Sequence, residues 1–293
     1  MRDFRVVDVF TSIHLQGNPV AVVMGADGLS AEDMQKIASW TNLSETTFHL
    51  QPTNPMADYR LRIFTPVCEL PFAGHPTLGS AHALIEAGLI KPQSNAVVQE
   101  CESGLIPIAI EGQGPARLLH LCLPQARFTE LSESDLDALR EVLRAAPKTT
   151  MRPAIVDVGP RWLVIELDDA DAVLALKPDP AALSAFEQGL NLVGVTVFGH
   201  HPDGQSSYEV RSFAPSSGMY EDPVCGSGNG AVGAYLLRSG VLQDGSAYQA
   251  TQGQCLGRDG RIFIRVSEGR VHVGGQAVTT VLGRLRLPTG ADV

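Results

Sequence analysis

The sequence predicts an α+β protein made of two similar halves. Three observations carry that expectation: an internal repeat, short β-branched and aromatic runs that interleave with helical patterns, and a length with room for two cores. Tyr59-Arg60-Leu61-Arg62-Ile63-Phe64-Thr65-Pro66 aligns with Tyr208-Glu209-Val210-Arg211-Ser212-Phe213-Ala214-Pro215 at an offset of 149 (208 − 59), four of eight positions being identical. After three inserted residues, Glu69-Leu70-Pro71-Phe72-Ala73-Gly74-His75 aligns with Glu221-Asp222-Pro223-Val224-Cys225-Gly226-Ser227 at an offset of 152 (221 − 69), with Glu, Pro and Gly in step. Each copy then enters a small-residue helix stopped by a glycine, Gly88 or Gly240.

The elements follow in order. Phe4–Phe10 and Pro19–Met24 read as a hairpin turned at Gln16-Gly17-Asn18-Pro19. Ser30 reads as an N-cap with Glu32 and Asp33 in an acidic first turn, and Met34, Ile37, Ala38 and Thr41 fall at helical spacing, so a helix should stop near Asn42. The β-branched run from Thr46 then puts Glu45 at a helix-to-strand corner, and Tyr59–Phe64 alternates as a strand does. Gly112–Pro115 marks a turn near the boundary between halves, and Leu136, Leu139 and Leu143 give Ser134–Ala145 one apolar face. Trp162, ahead of the strand Leu163–Ile165, reads as core; His200-His201 reads as surface before the turn Pro202-Asp203-Gly204. The halves are drawn at 1–118 with 280–293, and at 119–279.

Composition narrows the function. The chain is 44% apolar and 18% charged with a formal charge of −10, so long-range attraction to nucleic acid or anionic membrane is disfavoured. The N-terminus lacks a signal-like apolar stretch and no run approaches bilayer length, which makes the cytoplasm the default location. Five cysteines without a C-x-x-C suggest neither a disulfide framework nor a zinc site, and no H-E-x-x-H or comparable spacing points to another metal. Gly228-Asn229-Gly230-Ala231-Val232-Gly233 satisfies G-x-G-x-x-G, but the polar segment before it and the missing acidic residue about twenty positions later argue against dinucleotide binding.

The repeat also suggests where chemistry lies. A helix start offers N–H groups and partial positive charge, so two such starts at one cleft would hold a carboxylate, with glycine letting it approach the backbone. Gly74, Gly226 and Gly228, with Cys225, are the candidate binding positions. The copies differ in chemical type at Leu70 and Asp222, Ala73 and Cys225, and His75 and Ser227, as an asymmetric acid–base site would.

Asn42-Leu43-Ser44-Glu45-Thr46, Gly74-His75-Pro76-Thr77-Leu78-Gly79 and Glu221-Asp222-Pro223-Val224-Cys225-Gly226-Ser227-Gly228 resemble the three signature segments of the phenazine biosynthesis PhzF-like family; Gln252-Gly253 and Gly257-Arg258 also fit. The resemblance implies the diaminopimelate epimerase type of fold: two pseudo-symmetric domains, each a curved, mostly antiparallel sheet or barrel around a central helix, with the site in the cleft between them. It further implies a homodimer and an isomerase that needs no cofactor. The phenazine enzyme isomerises a hydroxylated dihydroanthranilate; carried over, Glu45 moves the proton while His75, Asp222 and Ser227 complete the polar site.

Each residue also has a plainer reading: Glu45 as a solvated turn carboxylate, His75 as a cap or core histidine, Asp222 and Ser227 as N-caps of the second helix. His82, two turns after His75 in an apolar run, reads as packing. Cys225 departs from the threonine usual in the phenazine enzyme and matches the thiol position of two-cysteine epimerases, whose second thiol would fall at Ala73; at a helix start its pKa would be lowered. The expected function is a cofactor-independent isomerase of a small carboxylated metabolite. The alternatives are epimerisation or dehydration of an amino or hydroxy acid using Cys225 with Glu45, and a non-catalytic metabolite-binding or scaffold protein.

Overall fold

The computed structural model describes residues 1–148, 151–202 and 207–286; Asp203 and Gly204 of the expected turn, and residues 287–293 of the expected return to the first half, lie outside them. In chain order the elements begin with β1 (Arg2–Val9), β2 (Asn18–Met24), α1 (Ala31–Thr41), β3 (Thr46–Leu50), β4 (Tyr59–Phe64), β5 (Glu69–Leu70), α2 (Gly74–Glu86), β6 (Ala96–Cys101), β7 (Gly104–Glu111) and β8 (Leu118–Cys122). They continue with β9 (Arg127–Glu130), α3 (Glu133–Leu143), β10 (Ala154–Asp157), β11 (Arg161–Glu166), α4 (Ala170–Ala175), α5 (Pro180–Gly189), β12 (Gly194–His200), β13 (Tyr208–Ala214) and β14 (Met219–Asp222). Last come α6 (Gly226–Arg238), β15 (Ala247–Gln252), β16 (Gly260–Ser267), β17 (Arg270–Gly275) and β18 (Ala277–Leu285). The chain divides into two compact units, Met1–Leu121 with the strand that follows Gly275, and Cys122–Gly274.

In the first unit the strand order is β18-β1-β2-β3-β4-β6-β7-β8, parallel only at β2–β3 and β4–β6, with β5 antiparallel to β4. The second unit repeats this as β9-β10-β11-β12-β13-β15-β16-β17, parallel only at β11–β12 and β13–β15, with β14 on β13. The repetition extends to register. Ile63 faces Leu70 and Phe64 faces Glu69 in the first unit; Ser212 faces Asp222 and Phe213 faces Glu221 in the second, the same positions shifted by 149 and 152. Side chains repeat too: Arg62 forks onto Glu69 and lies 5.2 Å over the Phe64 ring, while Arg211 forks onto Glu221 and lies 4.7 Å over Phe213.

Each sheet encloses one helix of thirteen residues, α2 or α6. Every residue from His75 to Leu84 of α2 is buried, as is every residue from Gly228 to Leu236 of α6, so neither helix has a solvent face and each sheet must curve round its helix. That enclosure explains the glycines of the G-x-G-x-x-G stretch. A Cβ on Gly230 would lie 2.4 Å from Leu123 Cδ1, one on Gly233 2.9 Å from Ile264 Cγ2, and in the first unit one on Gly79 2.4 Å from Val20 Cγ1. These glycines let strands close on a helix.

Local signals are realised where they are self-contained. Ser30 and Asp33 form a reciprocal capping box on α1, which stops at Asn42 in the left-handed region (φ 53°) with Met34, Ile37 and Ala38 buried. α3 buries Leu136, Leu139 and Leu143 as its spacing predicts. The opening hairpin differs: Asn18 and Pro19 belong to β2, opposite Val9 and Asp8, so the connection spans residues 10–17. His201 differs as well, because its Nε2 lies 2.8 Å from Thr251 Oγ1 and 3.4 Å from the buried Glu209 carboxylate. Among the described residues no helix is long and apolar enough to cross a membrane.

Two stability predictions follow from this packing. Gly79→Ala and Gly230→Ala should each lose about 1–3 kcal/mol in urea titration despite alanine's advantage in helices, whereas Gly189→Ala, with nothing within 4 Å of the added carbon, should be neutral or gain slightly. Glu221→Ala strands the buried Arg211 and should cost about 3–5 kcal/mol, against at most about 1 kcal/mol for Glu69→Ala at its more open counterpart.

Candidate active site

In the first unit, α1 ends at Asn42 and β3 begins at Thr46, and Glu45 is the last residue of the corner between them. Thr41 Oγ1 and Thr46 Oγ1 meet at 2.6 Å and close that corner, while the Ala21 N–H donates to the Glu45 carbonyl. The carboxylate turns inward: its side chain is 15% exposed, and Oε2 lies 3.4 Å from Nε2 of His75, itself 9% exposed. His75 is the second residue of α2. Glu45 is therefore a largely enclosed carboxylate against an imidazole, and the solvated-turn reading fails. Burial pushes its carboxyl up from the ordinary 4.5 to about 7, against a smaller downward pull from a Ser44 hydrogen bond.

The start of α2 suits an anion. Its N-cap, Ala73, has no side chain to accept a hydrogen bond, Pro76 carries no N–H, and the Thr77 N–H already reaches the Ala73 carbonyl. A Cβ on Gly74 would meet only Leu121 Cδ1, at 3.8 Å. Gly74 is thus free of the packing demand that fixes Gly79. From within the sheet Gln99 Nε2 donates to Thr77 Oγ1 and Ser80 Oγ meets Thr47 Oγ1 at 2.8 Å, holding the helix start in place.

In the second unit the corresponding start is built differently. The cap of α6 is Cys225, whose sulfur accepts the Gly228 N–H at 3.3 Å; neither Asp222 nor Ser227 takes that place. Asp222 Oδ1 instead accepts the Val224 N–H, and Ser227 Oγ accepts the indole N–H of Trp162 at 3.0 Å. Gln252 buttresses the loop, accepting from the Cys225 N–H and Asn229 Nδ2 and donating to the Asp222 carbonyl. Gly228 is fixed by packing, since a Cβ there would lie 2.5 Å from Ser212 Oγ and 2.7 Å from Thr196 Oγ1. The lowered thiol pKa expected at Cys225 is overturned. Complete burial raises it well above the ordinary value, the neighbouring Asp222 charge adds to the rise, and the Gly228 and Ser227 hydrogen bonds do not offset them.

A family model described as "Phenazine biosynthesis-like protein" matches residues 7–283. The chain belongs to this family. It is 42% identical over 290 residues to Antisense-enhancing sequence 1 of Schizosaccharomyces pombe, covering 96% of this chain and 97% of that protein. It is 36% identical over 294 residues to trans-2,3-dihydro-3-hydroxyanthranilate isomerase of Pseudomonas chlororaphis, covering 98% and 100%. Its fold is that of the PhzF-family phenazine biosynthesis protein of Bacillus anthracis, with a TM-score of 0.87 at 24% identity over 98% of this chain and 99% of that one. The chain is an isomerase of the phenazine biosynthesis-like family.

Packing, not the ligand site, accounts for His82 in this family member. Burial lowers its pKa to about 4, Glu86 lies 3.9 Å away, and at neutral pH the ring is a neutral part of α2's enclosed face. Sequence reasoning weighed Trp162 as core and did not connect it with Ser227, because the contact spans 65 residues and depends on the pairing of β11 with β12.

The Glu45 shift has a thermodynamic consequence with a definite sign. A raised folded-state value means that the folded chain holds this proton more tightly than the unfolded chain, so the contribution is complete below 4.5 and is lost as pH rises through about 7. Glu45→Gln, which cannot ionise, should match the parent's stability near pH 4 and exceed it near pH 8 by up to roughly 3 kcal/mol in paired urea titrations. An equal gap at both pH values would show the carboxylate to be solvated.

Proposed function

We propose that the chain is a cofactor-independent isomerase of a small carboxylated metabolite, in which Glu45 takes a proton from one carbon and returns it to another. The observation that supports this above all is the buried Glu45 carboxyl, pushed to about 7 and held 3.4 Å from His75. A carboxyl with that value is present in both forms near neutral pH, so it can accept a proton and give it back without a second acid. His75 stands beside it and, with Asp222 and Ser227, completes the polar set. The first-turn amides of α2 and α6, from Gly74 and Gly226 onward, hold the substrate carboxylate, with Gly228 and Cys225 shaping the second of these seats.

Substrate class follows from the relatives. Trans-2,3-dihydro-3-hydroxyanthranilate, the compound in the name of the Pseudomonas chlororaphis protein, is a carboxylated cyclic metabolite of the kind proposed. A homodimer is proposed on the family resemblance. A cytoplasmic location suits five free thiols, three of them exposed. Thiol-based epimerisation is the weaker reading, since Cys225 is a buried cap with its pKa raised and Ala73 offers no second thiol.

Incubation with trans-2,3-dihydro-3-hydroxyanthranilate in deuterated water is expected to yield rearranged product carrying label at the carbon that receives the proton. Glu45→Gln should slow turnover by about a hundredfold or more. Comparable loss in Cys225→Ala would move the chemistry to the thiol, and binding without exchange would return the chain to a non-catalytic role.

A further inference from the structure

The matched registers of the two units identify the residue that stands where Glu45 stands. Thr46 faces Phe64 and Val195 faces Phe213, so the residue before β3's first pair, Glu45, corresponds to Gly194, at the same offset of 149 (194 − 45) that relates the paired strands. His75 and Ser227 correspond at the offset of 152 (227 − 75). One unit therefore places a carboxylate against an imidazole, and the other has a glycine and a serine at those two positions.

The space at Gly194 is filled. Trp162 pairs with Gly194 across β11–β12, and a Cβ built on Gly194 would lie 2.5 Å from Trp162 Cζ3, besides 2.2 Å from the Phe213 carbonyl oxygen. The indole, 3% exposed, runs over the missing side chain and ends with its N–H on Ser227 Oγ. In the first unit the position that corresponds to Trp162 is Val20, which pairs with its own sheet, packs on Gly79 and reaches no polar atom of the helix start. Where the first unit has a valine and an acid, the second has a tryptophan and a glycine, and the tryptophan reaches the same helix position.

We propose that Trp162 is a positioning residue that orients the Ser227 hydroxyl as a hydrogen-bond donor to the anionic group of a carboxylate ligand at the start of α6. The inference rests on the isomerase reading for the identity of the site, and deepens it by naming what sets the polarity of the second seat. A serine hydroxyl has one hydrogen and two acceptor lone pairs. An indole N–H can only donate, so its bond to Oγ occupies a lone pair and turns the hydroxyl hydrogen elsewhere. The nearest other partner is the Cys225 sulfur at 3.6 Å, a weak acceptor that already receives the Gly228 N–H. A carboxylate oxygen next to the α6 amides is the stronger acceptor for that hydrogen.

The test uses the chain's two tryptophans, Trp162 and the 75% exposed Trp40, with the indole nitrogens labelled and benzoate as the probe. The Trp162 indole resonance should move on adding benzoate and reach saturation, while that of Trp40 stays. Ser227→Ala should shift the unliganded Trp162 resonance and abolish the benzoate response, and Ser227→Thr, which keeps the hydroxyl, should restore both. In calorimetry Trp162→Phe, which keeps an aromatic ring and loses the N–H, should weaken benzoate about three- to tenfold, the worth of one hydrogen bond. Any of three results overturns the proposal: an unliganded Trp162 resonance unmoved by Ser227→Ala, no saturable response to benzoate, or equal benzoate affinity in Trp162→Phe. No turnover is needed, so a chain that exchanges no deuterium can still show the indole response, and failure here leaves the role of Glu45 to its own experiment.

Discussion

Enclosure of a helix within its sheet is the constraint on which the rest of each unit depends. A helix buried on every side can carry few polar side chains, and its residues must shrink wherever a strand crosses it closely, which is why glycine and alanine recur along α2 and α6. Its backbone is satisfied internally except at the ends. The polar capacity of such a unit therefore gathers at the first turn of the helix, and the side chains that approach that turn decide what it can do.

How the first turn is finished differs between the units, and that difference is chemical. In the first unit the cap position is an alanine and the helix start is left to its amides and to His75 beside Glu45. In the second the cysteine sulfur occupies the cap, Gln252 braces the loop below it, and Trp162 reaches in from the sheet. One start is held next to a carboxyl whose pKa burial pushes up to about 7. The other is fastened by groups that do not titrate near neutral pH, since the Cys225 thiol is pushed up and the indole and amide are neutral.

Legibility in the sequence tracked the range of the interactions. The capping box of Ser30 and Asp33, the stop at Asn42 and the leucine face of α3 are set by residues within one or two turns, and they were readable from spacing alone. The repeat made the doubled architecture visible, because identical strand patterns had to form in both copies. The burial of Glu45 was not readable from its neighbours: Ser44 and Thr46 suit an exposed turn as well as a buried corner, and only the resemblance to a family singled it out. The sulfur cap of α6 escaped because cysteine is a weak acceptor and Asp222 and Ser227 look like better caps. The G-x-G-x-x-G stretch was legible as a false signal from its polar approach, but its cause, strands pressed onto a buried helix, required the sheet.

The duplication explains how one architecture presents two chemically different helix starts. A backbone repeated in register brings equivalent positions to equivalent places, so chemical difference has to arise by substitution at those places. The repeat offers two such positions at each helix start, 45 with 75 and 194 with 227. A carboxylate enclosed at both positions would have its pKa raised by burial in each unit. Gly194 carries no side chain, and the space over it must be filled because a void would forgo the contacts that hold a packed interior. Trp162 fills it with apolar surface and supplies a single fixed donor where the acid would have been. The indole is neutral and can only donate, so these two positions give the second unit a fixed donor where the first unit has a titratable acid.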